Sequence, residues 1–226
     1  HSRVGLNTEY LGGEWFSCVR ACIAEAEKLG MNAWLYDEDR WPSGAAGSLV
    51  TREDRFKQKS LYLELPGSVK ESNGTGNSLA WYAVRLDGTR LLEVGAQFGK
   101  TVPGIFTDEP CYTHFNEKKP FLPWTDSIPG KFREKYGYDL LDFLPELFYE
   151  TAEEVSRARW NFYDLITSLF VNAFSRIIGE WCKENNMKMT GHVLAEDTLS
   201  SQTLYVGSAM RFYEYMQAPG IDLLTE

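Results

Sequence analysis

The sequence predicts an α/β fold built on parallel strands, and three observations carry that prediction. Short apolar runs recur and stop abruptly at acids: Met31–Tyr36 before Asp37-Glu38-Asp39, Val102–Thr107 before Asp108-Glu109-Pro110, and Met187–Ala195 before Glu196-Asp197. Stretches with the 3.6-residue period of amphipathic helices separate them. Glycine and proline punctuate the junctions, as where Pro103-Gly104 opens the central run and Pro110, which has no N–H for a ladder, closes it. Helix, turn, strand and acidic loop in repetition is the pattern of an α/β repeat, whose ligand sites gather at the C-terminal ends of the strands.

In chain order, residues 1–11 read as loop. A helix is expected over Glu14–Leu29, with Phe16, Val19, Cys22, Ile23 and Ala26 on its apolar face and Gly30 at its C-terminal end. The first strand, Met31–Tyr36, leads into Asp37-Glu38-Asp39-Arg40-Trp41. That compact cluster reads either as a self-neutralised exposed turn or as a site, and its position after a strand favours the site. Residues 48–101 change character. Alternating stretches Ser60–Leu65 and Ala80–Leu86, with turn signals at Asn73–Gly76 and Asp87-Gly88, predict a β-rich insertion with antiparallel pairing, and no good helix precedes Ile105. Asn73-Gly74-Thr75 is also a glycosylation sequon, though the turn explains it more simply.

The Ile105 strand follows, with Asp108 as an alternative helix N-cap. Tyr112–Trp124 reads as irregular, Gly130–Tyr136 as a short helix, and Ala152–Asn185 as the longest helix, with a wide apolar stripe from Phe162 to Trp181 and Cys182. A strand from Met187, a helix over Leu199–Tyr215 and a strand from Pro219 complete the series. The expected architecture is a (β/α) TIM-type barrel. It is expected to be incomplete, one partial barrel domain over 1–226 with the β insertion at 48–101, because the sequence ends within a strand signal.

Composition narrows the function. A formal net charge of −9 argues against a nucleic-acid partner, and no run approaches the length of a membrane-spanning helix. Aromatic content of 14% suits either a large core or platforms for sugar rings, with Trp41, Tyr112 and Trp124 the stacking candidates. Cys18, Cys22, Cys111 and Cys182 include no CxxC pair and read as mostly buried free thiols.

Four blocks then become specific. Tyr36-Asp37-Glu38-Asp39-Arg40-Trp41-Pro42-Ser43-Gly44 with Ala46-Gly47 resembles a signature of glycoside hydrolase family 106, the α-L-rhamnosidase-like proteins. So do Pro103–Pro110, Tyr136-Gly137-Tyr138-Asp139-Leu140, and Thr190-Gly191-His192 with Glu196. Thr107-Asp108-Glu109-Pro110 also resembles the Asn-Glu-Pro block of the broad barrel glycosidase clan, with Asp108 in place of Asn. The resemblance implies a catalytic barrel within a larger protein carrying accessory β domains. It also implies a carbohydrate substrate and inversion at the anomeric carbon.

Glycoside cleavage needs one protonated and one ionised carboxyl flanking the scissile bond. Glu109 is the candidate acid, since its strand is buried and Asp108 beside it disfavours a second negative charge. Glu196 is the candidate partner, with His192 to hold it or a sugar hydroxyl; a helix N-cap is its alternative role. Asp37, Glu38, Asp39, Arg40, Trp41 and Asp108 are candidate sugar ligands. Glu214, between Tyr213 and Tyr215, is either another ligand or a buried structural carboxylate. The acidic loop could hold calcium, which takes several oxygen ligands, although no EF-hand spacing is present. The competing function is carbohydrate binding without turnover, or an inactive barrel fragment of a larger multidomain protein.

Overall fold

A computed structural model describes residues 7–53, 57, 59–62, 94–113, 121–149 and 156–223. Helix α1 (Gly13–Lys28) buries Phe16 and Ile23, and carries Glu14 in its first turn and Lys28 in its last, each matched to the helix dipole. Strand β1 is Leu35–Tyr36, β2 is Lys59–Tyr62, β3 is Gly104–Asp108 and β4 is Phe121–Trp124. Helix α2 (Ile128–Tyr136), a 3₁₀ turn (Leu140–Phe143), α3 (Leu144–Phe148), α4 (Arg157–Ala173) and α5 (Ser175–Glu184) lead to β5 (Lys188–His192). Short helices α6 (Leu199–Tyr205) and α7 (Ala209–Tyr213) and strand β6 (Ala218–Pro219) follow.

The main sheet runs β1-β3-β5-β6. Each neighbouring pair is parallel, with Leu35 opposite Ile105, Ile105 opposite Met189, and Thr190 opposite Ala218. Gly191 is where β3 and β5 meet most closely. A Cβ there would sit 1.9 Å from the Thr107 carbonyl oxygen, at a φ of +128°. Only glycine admits both the contact and the backbone angle. The described residues contain this open four-stranded parallel sheet and no closed barrel.

The core lies between the sheet and the helices. Phe132, Phe162, Phe212, Ile128, Leu140 and Met189 are fully buried; each removed from water contributes about 1.5–3 kcal/mol. Phe170, Phe174 and Phe212 interlock, with Phe174 5.9 Å from Phe212, which ties α4 and α5 to α7.

Several expectations are corrected. Met31 and Trp34 are 60% and 45% exposed, and the Ala33 N–H donates to the Thr101 carbonyl at 2.8 Å. The apolar run is therefore not a buried strand along its length, and β1 is only two residues long. The 152–185 helix is two helices. Residues 150–155 lie outside the described residues, and α4 starts at Arg157 under the Ser156 cap. The break falls at Phe174, next to Ser175, whose buried hydroxyl donates to the Phe212 carbonyl at 2.5 Å. The 199–215 helix is broken at Gly207, with a φ of +80° and a virtual Cβ 1.9 Å from Thr167 Oγ1. No side chain fits where that turn crosses α4. The strand expected from Pro219 is Ala218–Pro219, and Gly220 continues by donating to the Gly191 carbonyl at 2.9 Å.

Tyr112–Trp124 is not wholly irregular. It contains β4, which pairs antiparallel with β2, Leu61 opposite Leu122 and Ser60 opposite Pro123. Proline in the segment hid the strand; in a two-stranded ribbon its missing N–H can face outward. The turn signals at 73–76 and 87–88 lie outside the described residues. Cys18 and Cys22 are exposed on the outer face of α1, contrary to the expected burial. Cys182 is buried and Cys111 half-buried, and burial pushes the Cys111 thiol up to about 11.

Candidate active site

Four parallel strands bring their C-terminal ends to one edge, and the chain places an acid just after each: Asp37 after β1, Glu109 after β3, Glu196 beyond β5 and Asp222 beyond β6. Asp108 is the last residue of β3 and residues 109–113 are not helical, so it is not an N-cap. Glu109 instead takes a left-handed backbone, φ +53°, which is uncommon away from glycine. Its N–H still reaches the His192 carbonyl at 3.1 Å, extending the β3–β5 pairing by one residue.

The loop after β1 is folded around one carboxylate. Glu38 is 4% exposed. Its Oε2 accepts from the backbone N–H groups of Gly44 (3.1 Å), Ala45 (2.7 Å) and Ala46 (2.6 Å), and its Oε1 from those of Asp39 (2.9 Å) and Gly47. Both oxygens are committed to these five donors, so Glu38 builds the loop and is not free to take a sugar hydroxyl, which corrects its expected role. Ser43 staples the loop to β3. Its N–H donates to the Asp108 carbonyl at 2.8 Å, and its Oγ accepts from the Asp108 N–H at 2.8 Å. The same hydroxyl donates to Asp37 Oδ1 at 2.5 Å. The Asp37 residue keeps some exposure, but its carboxyl is packed in protein. Burial pushes it up to about 7, Glu38 and Asp108 add repulsion, and the Ser43 hydrogen bond pulls the other way.

Trp41 crosses from this loop to Glu109, its indole N–H donating to Glu109 Oε2. Burial raises the Glu109 carboxyl above the ordinary range; the Trp41 bond and His192 oppose the shift, and Asp108 and Asp222 reinforce it. Asp108 is held by the Tyr36 hydroxyl at 2.7 Å and lies 3.5 Å from His192 Nε2. His192 is 8% exposed, edge-on to Phe106 at 5.8 Å. Its Nδ1 is buried without a hydrogen-bond partner among the described residues.

Glu196 lies on the same edge. Its Oε2 accepts from the Tyr213 hydroxyl and its Oε1 from the Asp222 N–H at 2.5 Å. It is not a helix cap: α6 is capped by Thr198 and Ser201 in a reciprocal capping box. Asp222 therefore stands between the two glutamates, since its carboxylate belongs to a cluster with Glu109 and His192 whose donor atoms lie within 4.8 Å of one another. Sequence reasoning missed Asp222. The signal was present, as an acid shortly after a strand, the pattern that singled out Glu109.

Other candidates fall away from this cluster. The Arg40 side chain is 76% exposed and, among the described residues, pairs with Asp39 at 3.3 Å, a geometry that contributes little in solvent. Glu214 is exposed at the end of α7, contrary to the buried alternative. Tyr112 is buried, its hydroxyl donating to the Thr203 carbonyl at 2.5 Å, and Trp124 stacks on Phe162 at 6.4 Å. Both pack into the core and line a cavity with Ile128 and Phe170, and Trp41, 37% exposed, is the stacking candidate beside Glu109.

The acidic loop offers calcium few free oxygens: Glu38 is committed to backbone N–H groups and Asp37 Oδ1 accepts from the Ser43 hydroxyl. The donor set that could meet a cation is Glu109, His192 and Asp222. One imidazole with two carboxylates suits a borderline metal such as zinc better than calcium, which prefers oxygen.

The fold and site define a mixed α/β chain with a parallel sheet and carboxylates gathered on its C-terminal edge. No known family matches the chain, and no curated protein matches it. Among solved structures it is similar to a rhamnosidase from Novosphingobium sp. PP1Y, at 19% identity and a TM-score of 0.40 over 57% of this chain. The match spans 12% of that protein's length.

Proposed function

We propose that the chain carries the active-site sheet of a glycoside hydrolase that cleaves a terminal, rhamnoside-like bond, and that its four parallel strands are part of a (β/α) barrel. The observation that carries the reading is the pairing at the sheet edge. Glu109 is half-buried with raised proton affinity, and Glu196 is tied by the Tyr213 hydroxyl and the Asp222 N–H. Three of the four sequence blocks that resemble family 106 lie on β1, β3 and β5 and the loops after them, and the fourth, Tyr136–Leu140, runs from the end of α2 into the 3₁₀ turn.

In this reading Glu109 holds the proton that goes to the leaving oxygen. Its burial raises its proton affinity, and the Trp41 indole fixes one carboxyl oxygen and leaves the other for the substrate. Glu196, oriented by the Tyr213 hydroxyl and the Asp222 N–H, takes a proton from water attacking the anomeric carbon from the opposite side. Trp41 offers a face for the sugar ring. Asp108 and His192 supply polar contacts, with accessory domains of a larger protein completing the cleft.

The test is turnover of aryl α-L-rhamnosides against a panel of other aryl glycosides, with Glu109→Gln and Glu196→Gln as controls. The reading expects hydrolysis that Glu196→Gln lowers about a hundredfold or more on every substrate, and that Glu109→Gln lowers as much only where the leaving group is poorly acidic. Sugar binding with no turnover would instead assign the chain to carbohydrate recognition.

A further inference from the structure

The Glu38 cradle has a role beyond folding its own loop. The chain between its two ends, residues 39–47, carries both residues that reach β3: Trp41, on Glu109, and Ser43, on Asp108. A buried carboxylate accepting five backbone N–H groups is an anion nest, and each bond to an ionised acceptor is stronger than a neutral one. Without it, the N–H groups of the half-buried Ala45, Ala46 and Gly47 would lose their acceptor, which a loop avoids by rearranging.

We propose that Glu38 is a positioning residue: its buried carboxylate folds the 39–47 loop around itself and thereby holds the Trp41 indole on Glu109. It acts through Trp41 and does not touch substrate. The proposal rests on the reading of Glu109 as the acid, so the test uses a signal independent of turnover.

That signal is the indole N–H resonance of Trp41 in a ¹H–¹⁵N spectrum, assigned among the seven tryptophans by Trp41→Phe. In the wild type it should move with pH as Glu109 gains its proton, and it should stop moving in Glu109→Gln. In Glu38→Gln the amide keeps one acceptor oxygen, so at least two of the backbone N–H groups face a donor. The expected result is a protein that melts cooperatively but whose Trp41 resonance no longer titrates. A folded Glu38→Gln protein with the wild-type Trp41 titration would overturn the proposal. If Glu38→Gln does not fold, amide exchange in the wild type decides: slow exchange at Ala45, Ala46 and Gly47 is expected, and free exchange there means the cradle does not form. Absence of glycoside turnover with an intact Trp41 titration would count against the enzyme reading alone. Turnover with an unaltered Trp41 signal in Glu38→Gln would count against the positioning role alone.

Discussion

Asp37→Asn should stabilise the protein, and increasingly so as pH rises. The Asp37 carboxyl is pushed from 3.8 to about 7 by burial, with Glu38 and Asp108 adding repulsion. A carboxyl whose folded value is raised binds more protons folded than unfolded between those two values. It therefore favours the folded state at low pH and costs stability as pH climbs from about 4 to about 7. At about 1.4 kcal/mol per tenfold, the full span corresponds to roughly 4 kcal/mol, of which roughly 2–3 kcal/mol falls between pH 5 and pH 8. Asparagine cannot ionise, and its Oδ1 can still accept from Ser43. Urea unfolding of both proteins at pH 5 and pH 8 isolates the effect, because other titrations cancel in the difference. The stability advantage of Asp37→Asn should grow by those roughly 2–3 kcal/mol on going to pH 8. An advantage that is flat or shrinks with pH would show that the Asp37 carboxyl is hydrated and ordinary.

Three further outcomes follow from particular contacts. Gly191→Ala meets the Thr107 carbonyl at 1.9 Å with φ at +128°, so it should cost about 2–4 kcal/mol in urea unfolding and displace His192. Gly207→Ala, opposed by Thr167 Oγ1 at 1.9 Å, should lose a comparable amount, seen as a lowered melting temperature. Tyr213→Phe removes the hydroxyl donor to Glu196; a hydrogen bond to a charged group is worth about 1.5–3 kcal/mol, so kcat on an aryl rhamnoside should fall about tenfold to a hundredfold with the fold intact.

The parallel strands were legible because each apolar run stops at an acid or proline, and β3 and β5 lie where that pattern put them. The ends of elements were not. Phe174 and Gly207 interrupt helices for tertiary reasons, a buried Ser175 bonding across to α7 and a turn pressed against Thr167, and neither leaves a mark in local periodicity. The acidic loop was recognisable as special, but its division of labour was not. Asp37, Glu38 and Asp39 look alike in sequence, whereas Glu38 is consumed by backbone N–H groups that become its neighbours only once the loop closes. Glu109 and Glu196 were singled out from strand ends; Asp222, which lies between them, needed the register of β6 against β5.

In the proposed reaction Glu109 protonates the leaving oxygen, so the effect of Glu109→Gln must depend on how much the leaving group needs that proton. A dinitrophenolate departs without a proton, whereas an alkoxide does not. The measurement is kcat/KM of the wild type and Glu109→Gln on a dinitrophenyl and a methyl α-L-rhamnoside. The account predicts near-wild-type cleavage of the dinitrophenyl substrate by the variant, and a loss of about a hundredfold or more on the methyl substrate. Equal losses on both substrates, or no loss on either, would contradict it.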